Sequence, residues 1–212
     1  MNERARILAL IDEVYRDLPG GGEADAADRA LVEERAGATA ATYGEILPSA
    51  AAELFDWLRP GAGDLFVDVG SGVGRLALQA LLTTRVGRVV AVELSPFRHE
   101  VACRAREVLR RLLPEAADRL DRDLDLRLGD LRDQLPTEVS LVWAGSICFP
   151  DGLMISLARA LLAAPRFRRL VTLKSMPPAV ERQLSTLGVL DLDMSWAPRV
   201  RATVYGPPRR VC

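Results

Sequence analysis

Hydrophobic positions along the first sixty residues follow helical spacing. Apolar side chains recur three and four positions apart over residues 7–18, and the run PGGG at 19–22 ends that pattern. A weaker helical pattern covers 24–36, the stretch 37–48 has little periodicity, and helical spacing returns over 49–58. The sequence therefore predicts helices and one irregular loop before the first strand.

From residue 64 onward, short β-branched runs alternate with helical stretches, as in a mostly parallel sheet with helices on both faces. The predicted strands cover 64–69, 88–94, 124–128, 139–144 and 169–174, and the predicted helices begin near 75 or cover about 97–113, 152–163 and 180–184. Two last runs, 188–196 and 199–205, are separated only by Ala197 and Pro198 and are predicted to pair antiparallel. The predicted fold is α/β, a Rossmann-like seven-stranded, mostly parallel sheet with a C-terminal antiparallel hairpin.

Composition is that of an ordinary globular protein, with 49% hydrophobic residues, 27% charged residues and a net charge of -1. It gives no strong nucleic-acid signal, and the charged, amphipathic N-terminus lacks the apolar core of a signal peptide or membrane span. Three scattered cysteines suggest neither a disulfide framework nor a metal site. We expect no metal, no membrane contact and a reducing, cytoplasmic setting.

One glycine-rich turn follows the first predicted strand, within FVDVGSGVGRLA at residues 66–77. Ligands of open parallel sheets bind beyond the carboxyl ends of the strands, and Gly70, Gly72 and Gly74 would let the backbone approach such a ligand closely. The dinucleotide fingerprint GxGxxG would need glycine at position 75, where the chain has Arg75. The glycines could also serve only a tight turn.

Acidic residues end three successive predicted strands. Asp68 would repel a pyrophosphate but accept the ammonium of an amino-acid-like cofactor, while Glu93 can accept ribose hydroxyls of NAD or of S-adenosylmethionine equally. Asp130 is placed to receive an adenine amino group beside the apolar Leu131, although an aspartate there could be a plain N-cap. Together with the terminal hairpin, these residues indicate a seven-stranded S-adenosylmethionine-dependent methyltransferase.

The chain resembles a narrower group, the disruptor-of-telomeric-silencing family of histone-lysine methyltransferases. The resemblance runs from about Tyr43 to about Trp196, and it rests on YGE (43–45), DVGSGVGRLALQ (68–79), VEL (92–94), GDL (129–131), SICF (146–149), LKSMP (173–177) and MSW (194–196). The glycine turn alone is generic, but its combination with YGE and the distal segments is more specific. This resemblance implies a DOT-like methyltransferase acting on a protein lysine amine.

Residue roles follow from the same resemblance. Residues 1–47 would supply N-terminal helices and a cofactor-capping loop, and 48–212 the methyltransferase domain. Phe149 and Trp196 would line the methyl-acceptor channel, with Ser146 as a further catalytic candidate, although aromatic residues beside a sheet are often core. The residues expected to bind S-adenosylmethionine are Tyr43, Glu45, Asp68, Gly70, Ser71, Gly72, Glu93, Leu94, Asp130 and Leu131.

The chain departs from the family where the acceptor would bind. Gly145 and Ser146 stand where the family shows paired asparagines, and Ala202 or Thr203 replaces a tyrosine of the closing hairpin. Apart from Arg209 and Arg210, no basic extension suited to nucleosomal DNA is present. Methyl transfer is therefore better supported by the sequence than a histone acceptor.

Three functions stay open: methylation of a protein lysine, methylation of a small-molecule metabolite, and cofactor binding by a non-catalytic regulatory protein. Proton removal from a lysine acceptor needs no dedicated base if an apolar channel disfavours the ammonium. His99 lies in an Arg- and Glu-rich helical stretch and is expected to be a surface residue, and Cys148 is expected to be a small buried residue at a strand end rather than part of the acceptor site. Arginines of the stretch 98–122 alternate with acidic residues, which predicts a solvated face.

Overall fold

The structure is a computed structural model that describes residues 3–208. Arg209, Arg210 and Cys212 lie outside the described residues. The helices are, in chain order, α1 (Glu3–Val14), α2 (Ala26–Ala36), α3 (Pro48–Leu58), α4 (Arg75–Thr83), α5 (Pro96–Leu112), α6 (Ala117–Asp123), α7 (Leu131–Gln134), α8 (Asp151–Ala163) and α9 (Pro178–Glu181). The strands are β1 (Leu65–Val69), β2 (Arg88–Glu93), β3 (Leu124–Leu128), β4 (Leu141–Ala144), β5 (Arg169–Thr172), β6 (Ser185–Met194) and β7 (Ala197–Gly206).

The strands form one seven-stranded sheet in the order β3-β2-β1-β4-β5-β7-β6. β1 to β5 run parallel, and β7 pairs antiparallel with both β5 and β6. The predicted α/β fold with its antiparallel C-terminal hairpin is confirmed. Strand order reverses at β1, whose last residue Val69 pairs with Val92 on one side and Ala144 on the other. The carboxyl ends of the central strands therefore meet where a ligand of such a sheet binds.

Period-two alternation in β1 divides the interior into two layers. Phe66 belongs to a hydrophobic cluster shared with α1, α3, α4 and α5, whereas Val67 belongs to one shared with α8. Both residues have no exposed surface. A strand covered on both faces needs apolar residues at successive positions, which explains why β1 reads LFVDV. Asp68 is thus the one charged side chain of β1.

α1 packs into the same core as the sheet. Ile11 and Val14 are buried there, and the Tyr15 hydroxyl just after the helix donates to the Val73 carbonyl of the glycine turn at 2.7 Å. The expected division between residues 1–47 and 48–212 coincides with the start of α3, but α1 shares its core with the second part. None of the described helices is long and apolar enough to cross a membrane.

The C-terminal hairpin turns earlier than the sequence predicts. Met194 pairs with Ala197, so the two turn residues are Ser195 and Trp196 rather than Ala197 and Pro198. Pro198 fits near the start of β7, where a strand tolerates a residue without an N–H group. The predicted helix near 180–184 also begins earlier, at Pro178, and the short helix α7 was not predicted.

Candidate active site

A cavity of about 440 Å³ lies beyond the carboxyl ends of β1 to β4. Its other sides come from the segment before α3 and from the tip of the C-terminal hairpin. All ten residues predicted to bind a cofactor line it, together with Phe149 and Trp196. The fold therefore gathers side chains that are more than 150 positions apart in the sequence, from Tyr43 to Trp196, around one ligand-sized space.

The glycine turn, residues 70–74, forms the floor of the cavity. Gly70, Gly72 and Gly74 have φ angles of +72°, +56° and +83°, which other residues rarely adopt. The N–H groups of Gly70 and Ser71 both donate to the Val92 carbonyl, at 2.9 and 3.1 Å, which fixes the turn against β2. A Cβ at Gly72 would come within 2.8 Å of the Tyr43 ring. Glycine is thus needed here for conformation and for space.

Asp68 brings an unpaired carboxylate oxygen into this site. The side chain is 2% exposed, and its Oδ2 has no hydrogen-bond partner among the described residues. Burial, together with the nearby charges of Glu93 and Glu45, raises the pKa of Asp68 from 3.8 to about 8. A buried acceptor without a donor is costly, so this carboxylate is suited to a cationic ligand group.

Glu93 connects the glycine turn to the start of α5. Its Oε2 accepts from the Gly72 N–H at 2.7 Å, and its Oε1 accepts from the Ser95 N–H at 2.8 Å. Burial raises the pKa of Glu93, while these N–H groups and the charge of Arg98 act in the opposite direction. Each carboxylate oxygen keeps a lone pair that a ribose hydroxyl can use.

Asp130 serves as the N-cap of α7, the alternative that the sequence left open. Its Oδ1 accepts from the Arg132 N–H at 2.8 Å, and its carboxylate forms an ion pair with the Arg132 guanidinium, which lowers its pKa. Asp130 also lines the cavity beside the buried Leu131. An adenine amino group would therefore share this carboxylate with Arg132.

Residues 21–47, which precede α3, cover the cavity from one side and are called the capping segment below. The Tyr43 hydroxyl donates to the Glu45 carboxylate, and the Tyr43 ring lies between Gly21 and Gly72. The Ile46 backbone pairs with Met194 of β6 in a single antiparallel bridge. This bridge ties the capping segment to the C-terminal hairpin.

The opposite end of the cavity is aromatic and apolar. Phe149 stands over the glycine turn, where a Cβ at Gly70 would lie 3.1 Å from its ring. Trp196 packs on Gly44 but stays 45% exposed, and Ile147, which also lines the cavity, is 49% exposed. These two exposed apolar side chains form the rim, so the cavity opens to solvent through an apolar mouth.

Comparison with known proteins places the chain in a family. The family model described as histone methylation protein DOT1 matches residues 27–186. The chain belongs to the DOT1 family. Curated relatives in two strains of Cryptococcus neoformans are named histone-lysine N-methyltransferase, H3 lysine-79 specific, and are 30% identical over 142 residues. That match covers 64% of this chain but only 22% of each relative, so the chain spans less than a quarter of their length.

Solved structures show the same fold at lower identity. An RNA methyltransferase from Salinibacter ruber in complex with S-adenosyl-L-homocysteine is 17% identical with a TM-score of 0.54, covering 77% of this chain and 94% of that one. A putative RNA methyltransferase from Pyrococcus horikoshii is 14% identical with a TM-score of 0.55, and both chains are covered fully. The predicted assignment to the DOT1 family, within the Rossmann-like S-adenosylmethionine-dependent methyltransferases, is confirmed.

Ser146 of this DOT1-family chain lies behind the cavity and does not line it. The residue is fully buried, its Oγ accepts from the Lys174 N–H at 3.2 Å, and its carbonyl accepts from the Phe149 N–H at 2.9 Å. These bonds support the turn at residues 145–150, which is called the acceptor turn below. The geometry therefore favours a supporting role for Ser146 over the predicted catalytic one.

Sequence reasoning missed several residues of the site. Ile147, Trp143 and Met194 line the cavity, but each lies in or near a strand and its apolar character alone predicts only core. Arg98 also lines it and is 5% exposed, although the arginines of this stretch were expected on a solvated face. His99, by contrast, is not among the residues that line the cavity. Within residues 3–208 no group of three or more His, Cys, Asp or Glu could hold a metal ion.

Proposed function

We propose that this DOT1-family chain binds S-adenosylmethionine in the cavity and transfers its methyl group to the side-chain amine of a protein lysine. The observation that carries the proposal is the buried, unpaired Oδ2 of Asp68 at the glycine turn. The family match supports the reaction, and the names of the curated relatives support a lysine acceptor. Because the chain spans only 22% of those relatives, its own acceptor is part of the proposal.

The cavity fits the three parts of S-adenosylmethionine in order. Asp68 would receive the ammonium group, Glu93 the ribose hydroxyls, and Asp130 with Leu131 the adenine. The positive φ angles of the glycine turn and the close contact between Gly72 and the Tyr43 ring both require glycine. These glycines therefore add no side chain to the space between the groups that would hold the cofactor. When bound, S-adenosylmethionine supplies an electrophilic methyl group on a sulfonium. The other predicted residues, Tyr43, Glu45, Gly70, Ser71 and Leu94, line the same space.

The aromatic end of the cavity is suited to the acceptor. A lysine side chain that enters between Ile147 and Trp196 would pass apolar surface and lose water. Such surroundings disfavour its ammonium form and lower its pKa from about 10.4, so that the neutral amine becomes available. Phe149 and Trp196 would hold that amine in line with the methyl group and exclude water, which is the main requirement of a direct displacement.

A small-molecule acceptor is the second candidate, and one observation favours it. Gly145 and Ser146 replace the paired asparagines of the family, and Ser146 is turned away from the cavity toward Lys174. The acceptor end therefore lacks the two asparagine side chains that the resemblance to the family places there. A reducing, cytoplasmic setting stays a prediction, and the unpaired Cys103 and Cys148 support it.

Calorimetric titration of S-adenosylmethionine and NAD, side by side, tests the cofactor. Micromolar binding of S-adenosylmethionine alone, lost in Asp68→Ala and Glu93→Ala, is the expected result. Asp151→Ala, an exposed carboxylate outside the cavity lining, is the matched control and should bind normally. Binding of NAD, or of neither ligand, would overturn the proposal.

Transfer of a labelled methyl group then tests the acceptor. Core histones, lysine peptides and a pool of small amines are offered separately to the parent protein and to Asp68→Ala. Label on a histone or peptide that disappears when its lysines are changed to arginine supports the leading function. Label only in the small-amine pool would support the second candidate instead, and cofactor binding without label in any pool would support a non-catalytic role.

A further inference from the structure

Arg98 occupies an unusual place for an arginine. It lies in the first turn of α5, a helix whose N-cap Ser95 accepts from the Arg98 N–H at 3.1 Å. Most of the arginines along α5 are exposed or half-buried, but Arg98 is 5% exposed and lines the cavity. A buried guanidinium is costly unless its donors are used, so its partners show what it does.

Arg98 is bonded to the capping segment at three points. Its Nε donates to the Gly21 carbonyl at 3.0 Å, and its Nη2 donates to the Ala41 carbonyl at 2.5 Å. Its guanidinium carbon lies 4.8 Å from the centre of the Tyr43 ring, a stacked cation–π arrangement. One side chain of α5 thus fixes both ends of the stretch that leads to Tyr43.

The geometry also links Arg98 to the cofactor side of the cavity. The Tyr43 ring that it stacks on fills the space between Gly21 and Gly72, so Arg98 contacts the same ring that packs on the glycine turn. Its charge also acts on Glu93, whose Oε2 accepts from the Gly72 N–H. Arg98 therefore lies between the capping segment and the turn that would hold the cofactor.

We propose that Arg98 is a positioning residue for the cofactor, which holds the capping segment closed by fixing Tyr43 over the glycine turn. This inference rests on the proposed function, because it names the residue that retains S-adenosylmethionine in the cavity. Arg98 acts through Tyr43 and takes no part in the chemistry. Its loss should therefore speed cofactor release more than it slows cofactor entry.

The test compares Arg98→Lys and Arg98→Met with the parent protein in stopped-flow binding of S-adenosylmethionine. Lysine keeps the charge but lacks the planar fork that reaches two carbonyls and stacks on Tyr43. We expect the dissociation rate constant to rise about tenfold in Arg98→Lys and more in Arg98→Met, as for the loss of charge-assisted hydrogen bonds. If Arg98→Met does not fold, Arg98→Lys alone decides.

Arg29→Met is the matched control. Arg29 also donates to a carbonyl of the capping segment, that of Ala24 at 2.7 Å, but it does not line the cavity. Its variant should release the cofactor within about twofold of the parent rate.

A double-mutant cycle with Tyr43→Leu distinguishes positioning through Tyr43 from a merely structural role of Arg98. Once Tyr43 is replaced, Arg98→Lys should have little further effect on release.

Trypsin cleavage of the capping segment gives a second readout that does not depend on turnover. S-adenosylmethionine should protect Arg29 and Arg35 from trypsin in the parent protein but much less in Arg98→Lys. An unchanged dissociation rate constant in Arg98→Lys, or independent effects of the Arg98 and Tyr43 substitutions, would overturn the inference. Cofactor binding by the parent protein would still support the proposed function in that case. A parent that binds no S-adenosylmethionine would overturn both.

Discussion

Glu45 and Ser195, 150 positions apart, are joined by two hydrogen bonds. The Ser195 N–H donates to the Glu45 carbonyl at 2.8 Å, and the Glu45 N–H donates to the Ser195 hydroxyl at 3.0 Å. The Leu47 N–H adds a third bond, to the Asp193 carbonyl at 3.0 Å. The capping segment and the hairpin tip are thereby held together at the edge of the cavity.

Gly44→Ala should separate acceptor binding from cofactor binding. A Cβ at Gly44 would overlap the six-membered ring of Trp196, so the tryptophan must move from the cavity rim. We expect the rate of methyl transfer to fall about tenfold or more, because misplacing a group that orients the acceptor is costly. The dissociation constant for S-adenosylmethionine, measured by calorimetry, should change little.

Gly22→Ala is the control for Gly44→Ala. A Cβ at Gly22 meets nothing within 4 Å, and its backbone has no positive φ angle. Methyl transfer and S-adenosylmethionine binding should therefore both be retained in Gly22→Ala. Full methyl transfer by Gly44→Ala would show that Trp196 has no part in acceptor binding.

Stability should depend on pH through Asp68. Its pKa is about 8 in the folded protein and 3.8 as the reference value, so the folded state holds a proton that the unfolded state has lost. The contribution of Asp68 to the free energy of unfolding should therefore fall as pH rises from about 4 to about 8 and level off above that range. Urea unfolding across this range, compared with Asp68→Asn, isolates the contribution: the difference between the two proteins should grow with pH. A parallel course for both would contradict the burial of an ionisable Asp68.

Binding of S-adenosylmethionine should release a proton from the protein. Asp68 is protonated at neutral pH while its Oδ2 has no partner, and an ammonium group beside it would favour the carboxylate. Affinity should therefore increase as pH approaches about 8, as far as Asp68 is concerned. Calorimetry in buffers with different ionisation enthalpies measures the release directly, and Asp68→Asn should show none from this position.

Lys174 should matter for the acceptor end alone. This single lysine of the chain follows β5, and its Nζ donates to the Phe149 carbonyl at 3.0 Å and to Asp151 at 2.7 Å. Lys174→Met removes this support of the acceptor turn, so the KM for the acceptor should rise. Lys174→Arg can restore a donor to the carbonyl and should recover part of the loss. Equal weakening of S-adenosylmethionine binding would show that the acceptor turn also shapes the cofactor end.

Much of the cofactor side could be predicted because short sequence segments determine it. Asp68, the glycine turn and Glu93 lie at strand ends, and parallel strands bring their carboxyl ends to one edge of a sheet. Their order along the chain is therefore their order in space. The unpaired Oδ2 of Asp68 could not be foreseen, because it depends on which donors the folded chain places nearby.

The covering side was predictable only in part. The resemblance identified Tyr43 and Glu45, but the burial of Arg98 depends on carbonyls of Gly21 and Ala41, which no pattern in α5 reveals. Alternation of charge along a helix predicts that most of its surface is exposed, but it does not predict the burial of a single residue in the first turn. For Ser146 the resemblance of SICF to the family suggested chemistry, whereas its hydroxyl accepts from the Lys174 N–H just after β5.

The bridge between Ile46 and Met194 has a consequence for the behaviour of the protein in solution. β6 is an edge strand of the sheet, and unpaired backbone groups on an edge can pair with another molecule. The capping segment pairs with the Met194 end of that edge. A molecule in which this segment moves away therefore exposes unpaired backbone N–H and C=O groups there. Solubility on warming should therefore be higher with the cavity filled than with it empty, and turbidity would then report ligand occupancy without any assay of turnover.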